Sequence, residues 1–200
     1  MKISIFLLYI FILSHSTFAQ SGDPPKSSIP QDFILSKGAA GKIHLEMSVD
    51  EVYNRYGRDN TRLVDLFLEG FFTPALEIFL PPPDPKDAAL KESKPSLIAE
   101  IHCPKPNAFA VYRLQVFDPR FKTREGIGVG NSLGEARKHL KFKTFASSEG
   151  GIVCGVVEPL GMTLLLDWNP PDNDFLLDPE RVPNMAKIES ILIVDSPRDE

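Results

Sequence analysis

Cysteine is scarce in this chain of 200 residues, with only Cys103 and Cys154 present, so a small disulfide-stapled scaffold is excluded. A chain this long buries roughly 70% of its unfolded surface without staples, and neither cysteine has to be structural. Histidine is nearly as rare. His44, His102 and His139 lie far apart and show no i, i+4 spacing, which argues against a transition-metal site. Basic residues are in deficit, 22 Lys and Arg against 27 Asp and Glu, and they are scattered along the chain. A protein that neutralises phosphates needs a concentrated positive face, so nucleic acid is not an expected partner. No apolar run approaches the roughly 20 residues that a membrane-spanning helix requires.

The longest apolar run is at the start of the chain. Lys2 precedes the apolar stretch Ile3 to Leu13, and Thr17, Phe18 and Ala19 put small residues where a signal peptidase reads. The pattern predicts a signal peptide over 1–19, cleaved near Ala19, and hence a periplasmic or secreted mature protein with no transmembrane segment. No cysteine follows the run to carry an N-terminal lipid. Cleavage removes one lysine and no acid, moving the net charge from −5 to −6. In an oxidising compartment Cys103 and Cys154 could pair. Alternation along Leu97, Ala99, Ile101 and Cys103 instead places Cys103 on a core face, as a small buried hydrophobe.

Residues 20–36 are rich in Pro and Ser and read as a flexible tether. Beyond them, Ile43-His-Leu-Glu-Met-Ser48-Val-Asp-Glu51-Val52 matches Ile127-Gly-Val-Gly-Asn-Ser132-Leu-Gly-Glu135-Ala136, 84 residues later (48 to 132). Each match runs from an alternating apolar pair into a serine followed three residues on by glutamate. That is a capping box, in which the serine accepts from the N3 amide while the glutamate reaches back to the cap's own amide. Val49, Val52, Tyr53 and Tyr56, and then Leu133, Ala136 and Leu140, follow at helical spacing. Four strand-like stretches succeed each helix: 62–68, 72–80, 97–103 and 109–117, then 141–146, 151–157, 162–168 and 187–194. The units also end alike, Leu114-Gln-Val116-Phe-Asp118-Pro119-Arg120 beside Ile191-Leu-Ile193-Val-Asp195-Ser-Pro197-Arg198.

These matches predict an internal repeat, with a first helix-plus-sheet unit over 37–122 and a second over 123–200. The expected fold is α+β: a tandem duplication whose antiparallel sheet carries the helices packed on one face.

Residues 43–52 resemble the opening of small envelope proteins of the BamE (SmpA/OmlA) kind and of the tandem-repeat β-lactamase inhibitor proteins. The resemblance implies an envelope or secreted module that binds other proteins through a sheet and is not an enzyme.

Gly130-Asn131-Ser132-Leu133-Gly134 spells the G-x-S-x-G of a hydrolase nucleophile elbow between a strand and a helix. Its base is missing, because His139 lies two turns along the same helix, and Ser48 holds the matching place without flanking glycines. Capping is therefore the role expected of Ser132. Gly126, Gly128 and Gly130 read as a tight turn into the helix, since no Lys-Ser/Thr pair and no parallel βαβ pattern accompany them. Asp167, Asp172, Asp174 and Asp178 lack the spacing of a calcium loop and read as a solvated loop. Trp168 falls in line with Leu164 and Leu166, on a core face. The long connections 81–95 and 169–186 are the places where function is expected to reside.

No catalytic, cofactor-binding or metal-ligating residue, and no cofactor, is expected. The sequence points to an exported non-enzymatic protein-binding module, an inhibitor or an envelope-assembly accessory. The alternatives are an exported serine hydrolase using Ser132 and a carrier of a small apolar ligand.

Overall fold

The computed structural model describes residues 29–68, 70–82, 94–106, 108–147, 152–170 and 175–194. The leader, the first part of the tether, most of the 81–95 connection, and Asp172, Asp174 and the Asp195 to Arg198 match lie outside them. A small antiparallel sheet comes first, of β1 (Leu35–Ser36), β2 (Ala39–Ala40) and β3 (Ile43–His44). Helix α1 (Val49–Tyr56) follows, then β4 (Thr61–Leu68), β5 (Phe71–Ile78), β6 (Leu97–Lys105) and β7 (Ala108–Val116). A second run contains α2 (Leu133–His139), β8 (Thr144–Ser147), β9 (Val153–Val157), β10 (Met162–Leu166), β11 (Leu176–Leu177) and β12 (Ile188–Val194).

Strands β4 to β12 make one antiparallel sheet of nine, ordered β11-β8-β9-β10-β12-β7-β6-β5-β4. This overturns the α+β expectation of helices covering a sheet face: the fold is β-rich. The reason is length. Helices of 8 and 7 residues reach only about 12 and 10 Å, whereas nine strands span about 38 Å. Among the helical residues only Val52, Leu133 and Ala136 are buried. The rest of the core face is covered by the small sheet (Leu35, Ala40, Ile43) and by connecting segments that contribute Met47, Phe121, Ile127, Val182 and Ala186 to the same core.

The two strand runs follow matching registers. Leu97 and Ala99 on β6 pair with Val116 and Leu114 on β7, and Met162 and Leu164 on β10 pair with Ile193 and Ile191 on β12. Each pairing is then interrupted by a bulge at the same step, between Glu100 and Ile101 and between Leu165 and Leu166. Two residues are thereby fitted between core-facing neighbours: Tyr112 and Arg113 between Val111 and Leu114, and Glu189 and Ser190 between Ile188 and Ile191. The runs meet where β7 pairs with β12. Ile191 opposes Val116 and Ile193 opposes Leu114, so a local two-fold passes through the Gln115 and Leu192 pair.

The folded chain begins before Lys37, inside the stretch assigned to the tether. Leu35 is buried, Phe33 meets Phe121 edge to face at 5.1 Å, and the amides of Leu35 and Lys122 donate to the carbonyls of Lys122 and Phe33. The Pro and Ser content signalled a polar surface segment, but the four apolar residues Ile29, Phe33, Ile34 and Leu35 among them are enough to dock it. Trp168 is half-buried against the core.

Candidate functional site

Both serines cap their helices. The Ser48 hydroxyl donates to Glu51 Oε2 at 2.7 Å and accepts from the Glu51 amide, and the Ser48 amide donates to the same carboxylate. Ser132 repeats this with Glu135 at 3.0, 3.2 and 2.8 Å. The Ser132 hydroxyl is thus occupied as donor and acceptor by one residue. The hydrogen bond from the Ser48 side chain, then its amide, lowers the Glu51 carboxyl below its ordinary value of 4.5, and the Ser132 amide, then its side chain, does the same for Glu135. A depressed carboxylate stabilises the fold above the unfolded value, and that contribution disappears as pH falls through the depressed one. Ser132→Ala should cost about 1 kcal/mol in urea unfolding at pH 7. The part of the difference that comes from the hydroxyl's bond to the carboxylate should disappear as pH falls below the ordinary carboxyl value of 4.5, and no loss of stability at pH 7 would contradict the cap.

The cysteines do not meet. Cys103 is exposed, past the end of the core, with its thiol donating to the Lys105 carbonyl. Cys154 is half-buried on β9, and burial pushes its thiol pKa up. Four strand steps separate β6 from β9, about 19 Å, against the roughly 4.4–6.8 Å between Cα atoms that a disulfide needs. Asp167 and Asp178 accept the amides of Lys187 and Glu180, and no cluster able to hold a metal exists among the described residues. In the Asp118-Pro-Arg120 match, Arg120 grips Asp118 with three side-chain bonds. Burial would raise the Asp118 carboxyl, but these bonds prevail and hold it low.

The face of the large sheet turned away from the core carries a polar centre in its first half. Glu100 is only 3% exposed. It accepts from Tyr112 Oη at 2.7 Å and from Arg113 Nε at 2.6 Å. Both donors come from the bulged step of β7, so the extra residue brings two consecutive side chains to one carboxylate. In the second half Leu165 and Ser190 take the places of Glu100 and Arg113, and Ser190 accepts from Gln115 Nε2.

Beside this centre, a cleft of about 770 Å³ opens between the small sheet, β7 and the end of β12. Lys37, His44, Glu46, His102, Tyr112 and Arg113 contribute its charged and titratable walls, and the half-buried Leu45 and Val194 its apolar ones. Glu46 has φ 67°, alone among the described non-glycine residues in being positive. The turn requires it: the Glu46 amide donates to Val111 while the Val111 amide donates to Met47. In the second half Gly130, at φ 86°, makes the same exchange with Ile188. Glycine adopts this region freely and other residues pay for it, so Glu46→Gly should raise the urea midpoint by the equivalent of about 0.5–1 kcal/mol. A lower midpoint would mean that the Glu46 side chain supports the fold.

The β4 and β5 hairpin stands out past the core at the outer edge of the sheet. Phe71 and Phe72 are 75% and 73% exposed, Leu63 and Phe67 are also exposed, and Phe67 packs on Phe72 with ring centroids 5.2 Å apart. Sequence reasoning looked to the long loops for function and passed over this hairpin. The signal was present as the Phe71-Phe72 doublet beside Gly70 in a turn.

No protein-family model and no curated protein matches the chain. Among solved structures it is similar to the crystal structure of the uncharacterized protein yfeY from Escherichia coli. The alignment covers 80% of this chain and 99% of that one, with 12% identity and a TM-score of 0.56. At that identity the likeness concerns the fold alone.

Proposed function

We propose that the chain is an exported, non-enzymatic protein-binding module, an inhibitor or an envelope-assembly accessory, that engages its partner through the β4 and β5 hairpin. The observation that carries this reading is the set of exposed apolar side chains on the outer hairpin, Leu63 and Phe67 on the edge strand β4 and Phe71 and Phe72 on β5 beside it, with Phe67 packed on Phe72. Contiguous apolar surface on a folded protein marks an interaction site, and aromatic side chains supply most of the anchoring energy in such sites. The outer edge of β4 adds a row of backbone donors and acceptors that an extended partner segment can extend. The opposite edge, β11, has only two residues and gives no such template. Export is supported by the leader from Lys2 to Ala19, and no helix among the described residues is long and apolar enough to cross a membrane.

The test is affinity capture by the tagged mature protein from the envelope fraction of its source, with Phe71→Ser/Phe72→Ser and Ser132→Ala variants alongside. One partner retained by wild type and Ser132→Ala but lost by the hairpin variant is the expected result. Partners captured equally by all three, or an esterase activity abolished by Ser132→Ala, would refute it.

A further inference from the structure

The hairpin that holds β4 sorts its backbone groups into two sets. The Phe79 amide donates to the Asn60 carbonyl and Thr61 stands opposite Ile78, so the bonded pairs of the ladder are Arg62 with Glu77, Val64 with Ala75 and Leu66 with Thr73. The amides and carbonyls of Leu63, Asp65 and Phe67 therefore point away from β5, and among the described residues nothing bonds to them. Pro74 keeps this end of the hairpin clear of the next strand: its place in the ladder calls for an amide facing β6, and the pairing of β5 with β6 stops at Ala75. Beside the free groups stand the side chains of Leu63, 60% exposed, and Phe67, 65% exposed, with Asp65 between them on the same face.

A second copy of the chain does not suit this edge. Antiparallel pairing about a two-fold normal to the sheet matches residues of one face, and the registers that overlap most of β4 set Asp65 opposite Asp65 or opposite Leu63. The first opposes like charges, and the second confronts a carboxylate with an apolar side chain. A charge in the middle of an edge strand guards against such self-pairing. Arg62 cannot relieve it, because it lies on the other face and is held by Glu77. A different segment with a basic residue at that place meets no conflict. Resting on the hairpin reading above, we propose that the partner supplies an extended segment that adds antiparallel to β4, with apolar residues opposite Leu63 and Phe67 and a lysine or arginine between them. The backbone groups of Leu63, Asp65 and Phe67 and the two apolar contacts carry the affinity, and the basic residue opposite Asp65 fixes the register.

The probe is the peptide acetyl-Thr-Leu-Val-Lys-Val-Phe-Thr-amide, titrated into the full mature protein by two-dimensional NMR and calorimetry. It should bind saturably and slow solvent exchange at the amides of Leu63, Asp65 and Phe67, while those of Val64 and Leu66, already bonded to β5, stay as they are. N-methylation of the peptide's leucine, lysine and phenylalanine, whose amides face β4, should weaken binding at least about tenfold, and N-methylation of its two valines should not. Glutamate in place of its lysine should weaken binding about two- to fivefold. Asp65→Pro removes one outward amide without touching the ladder to β5, so this variant should stay folded and bind the peptide about tenfold more weakly. In the envelope capture, a partner lost by Phe71→Ser/Phe72→Ser but kept by Asp65→Pro would overturn strand addition and leave the hairpin reading standing, whereas equal capture by every form would overturn both. No saturable binding of the peptide, or equal weakening by the two methylation patterns, would also overturn the assignment.

Discussion

Arg113→Met will lower the unfolding free energy by about 3 kcal/mol, because it removes the cation that neutralises a buried carboxylate and leaves the charge behind. Glu100 is 3% exposed, the Arg113 side chain 30%, and the pair is joined at 2.6 Å. The hydrogen bond from Tyr112 satisfies one lone pair of Glu100 but brings no charge, so the carboxylate stays uncompensated in the variant. The informative control is the double variant Glu100→Leu/Arg113→Met. It puts leucine where β10 already carries Leu165, and it removes both charges together, so it should return to within about 1 kcal/mol of wild type. Urea unfolding of the wild type, Arg113→Met, Glu100→Leu and the double variant closes the cycle. A double variant as unstable as Arg113→Met would mean that packing of the Arg113 stem, and not the ion pair, sets the cost.

Phe121→Ala ranks with it, at about 3–4 kcal/mol, and its effect should be uneven along the chain. The Phe121 ring is 1% exposed, packs edge-on against Phe33, and lies 3.1 Å from where a Cβ on Gly41 would sit. It is thus the wedge between the small sheet and the rest of the core. Its own backbone is fixed from the other side, since a Cβ on Gly128 would come within 2.1 Å of the Phe121 carbonyl oxygen, so the chain cannot shift to refill the void. Limited proteolysis of the variant should cut first between residues 29 and 46, before the large sheet opens. Uniform susceptibility would show that the small sheet is held by other contacts.

What the sequence made legible here is local. Each capping box involves a serine and a glutamate three residues apart, and each strand of the large sheet is a short alternation between turn residues. Both can be read in a window of ten residues, and eight of the nine strands lie within a few residues of the expected stretches, while the two-residue β11 falls inside the connection 169–186. Features that depend on distant partners were not legible. Alternation placed Cys103 on a core face with Ile101, but it carries no information on where the core ends: Cys103 is exposed, because β6 continues four residues beyond Ile101 into solvent. Apolar spacing marked the inner faces of α1 and α2 without revealing that two turns cannot cover nine strands. The bulge that brings Tyr112 and Arg113 to Glu100 is set by the register against β6. Glu46 gave no turn signal at all, because glutamate is not a residue that ordinarily marks a left-handed turn.

The seam between the halves also constrains the order in which the molecule can be completed. As the chain emerges, β4 to β7 can zip together early from near neighbours, yet the inner flank of β7 stays bare until β12, the last of the described strands, arrives to pair with it. Closing that seam is the longest-range step in the sheet and the one most delayed by chain entropy. A chain stalled before β12 therefore cannot conceal its incompleteness: it displays the raw edge of β7 to chaperones and proteases, and only the arrival of β12 withdraws it.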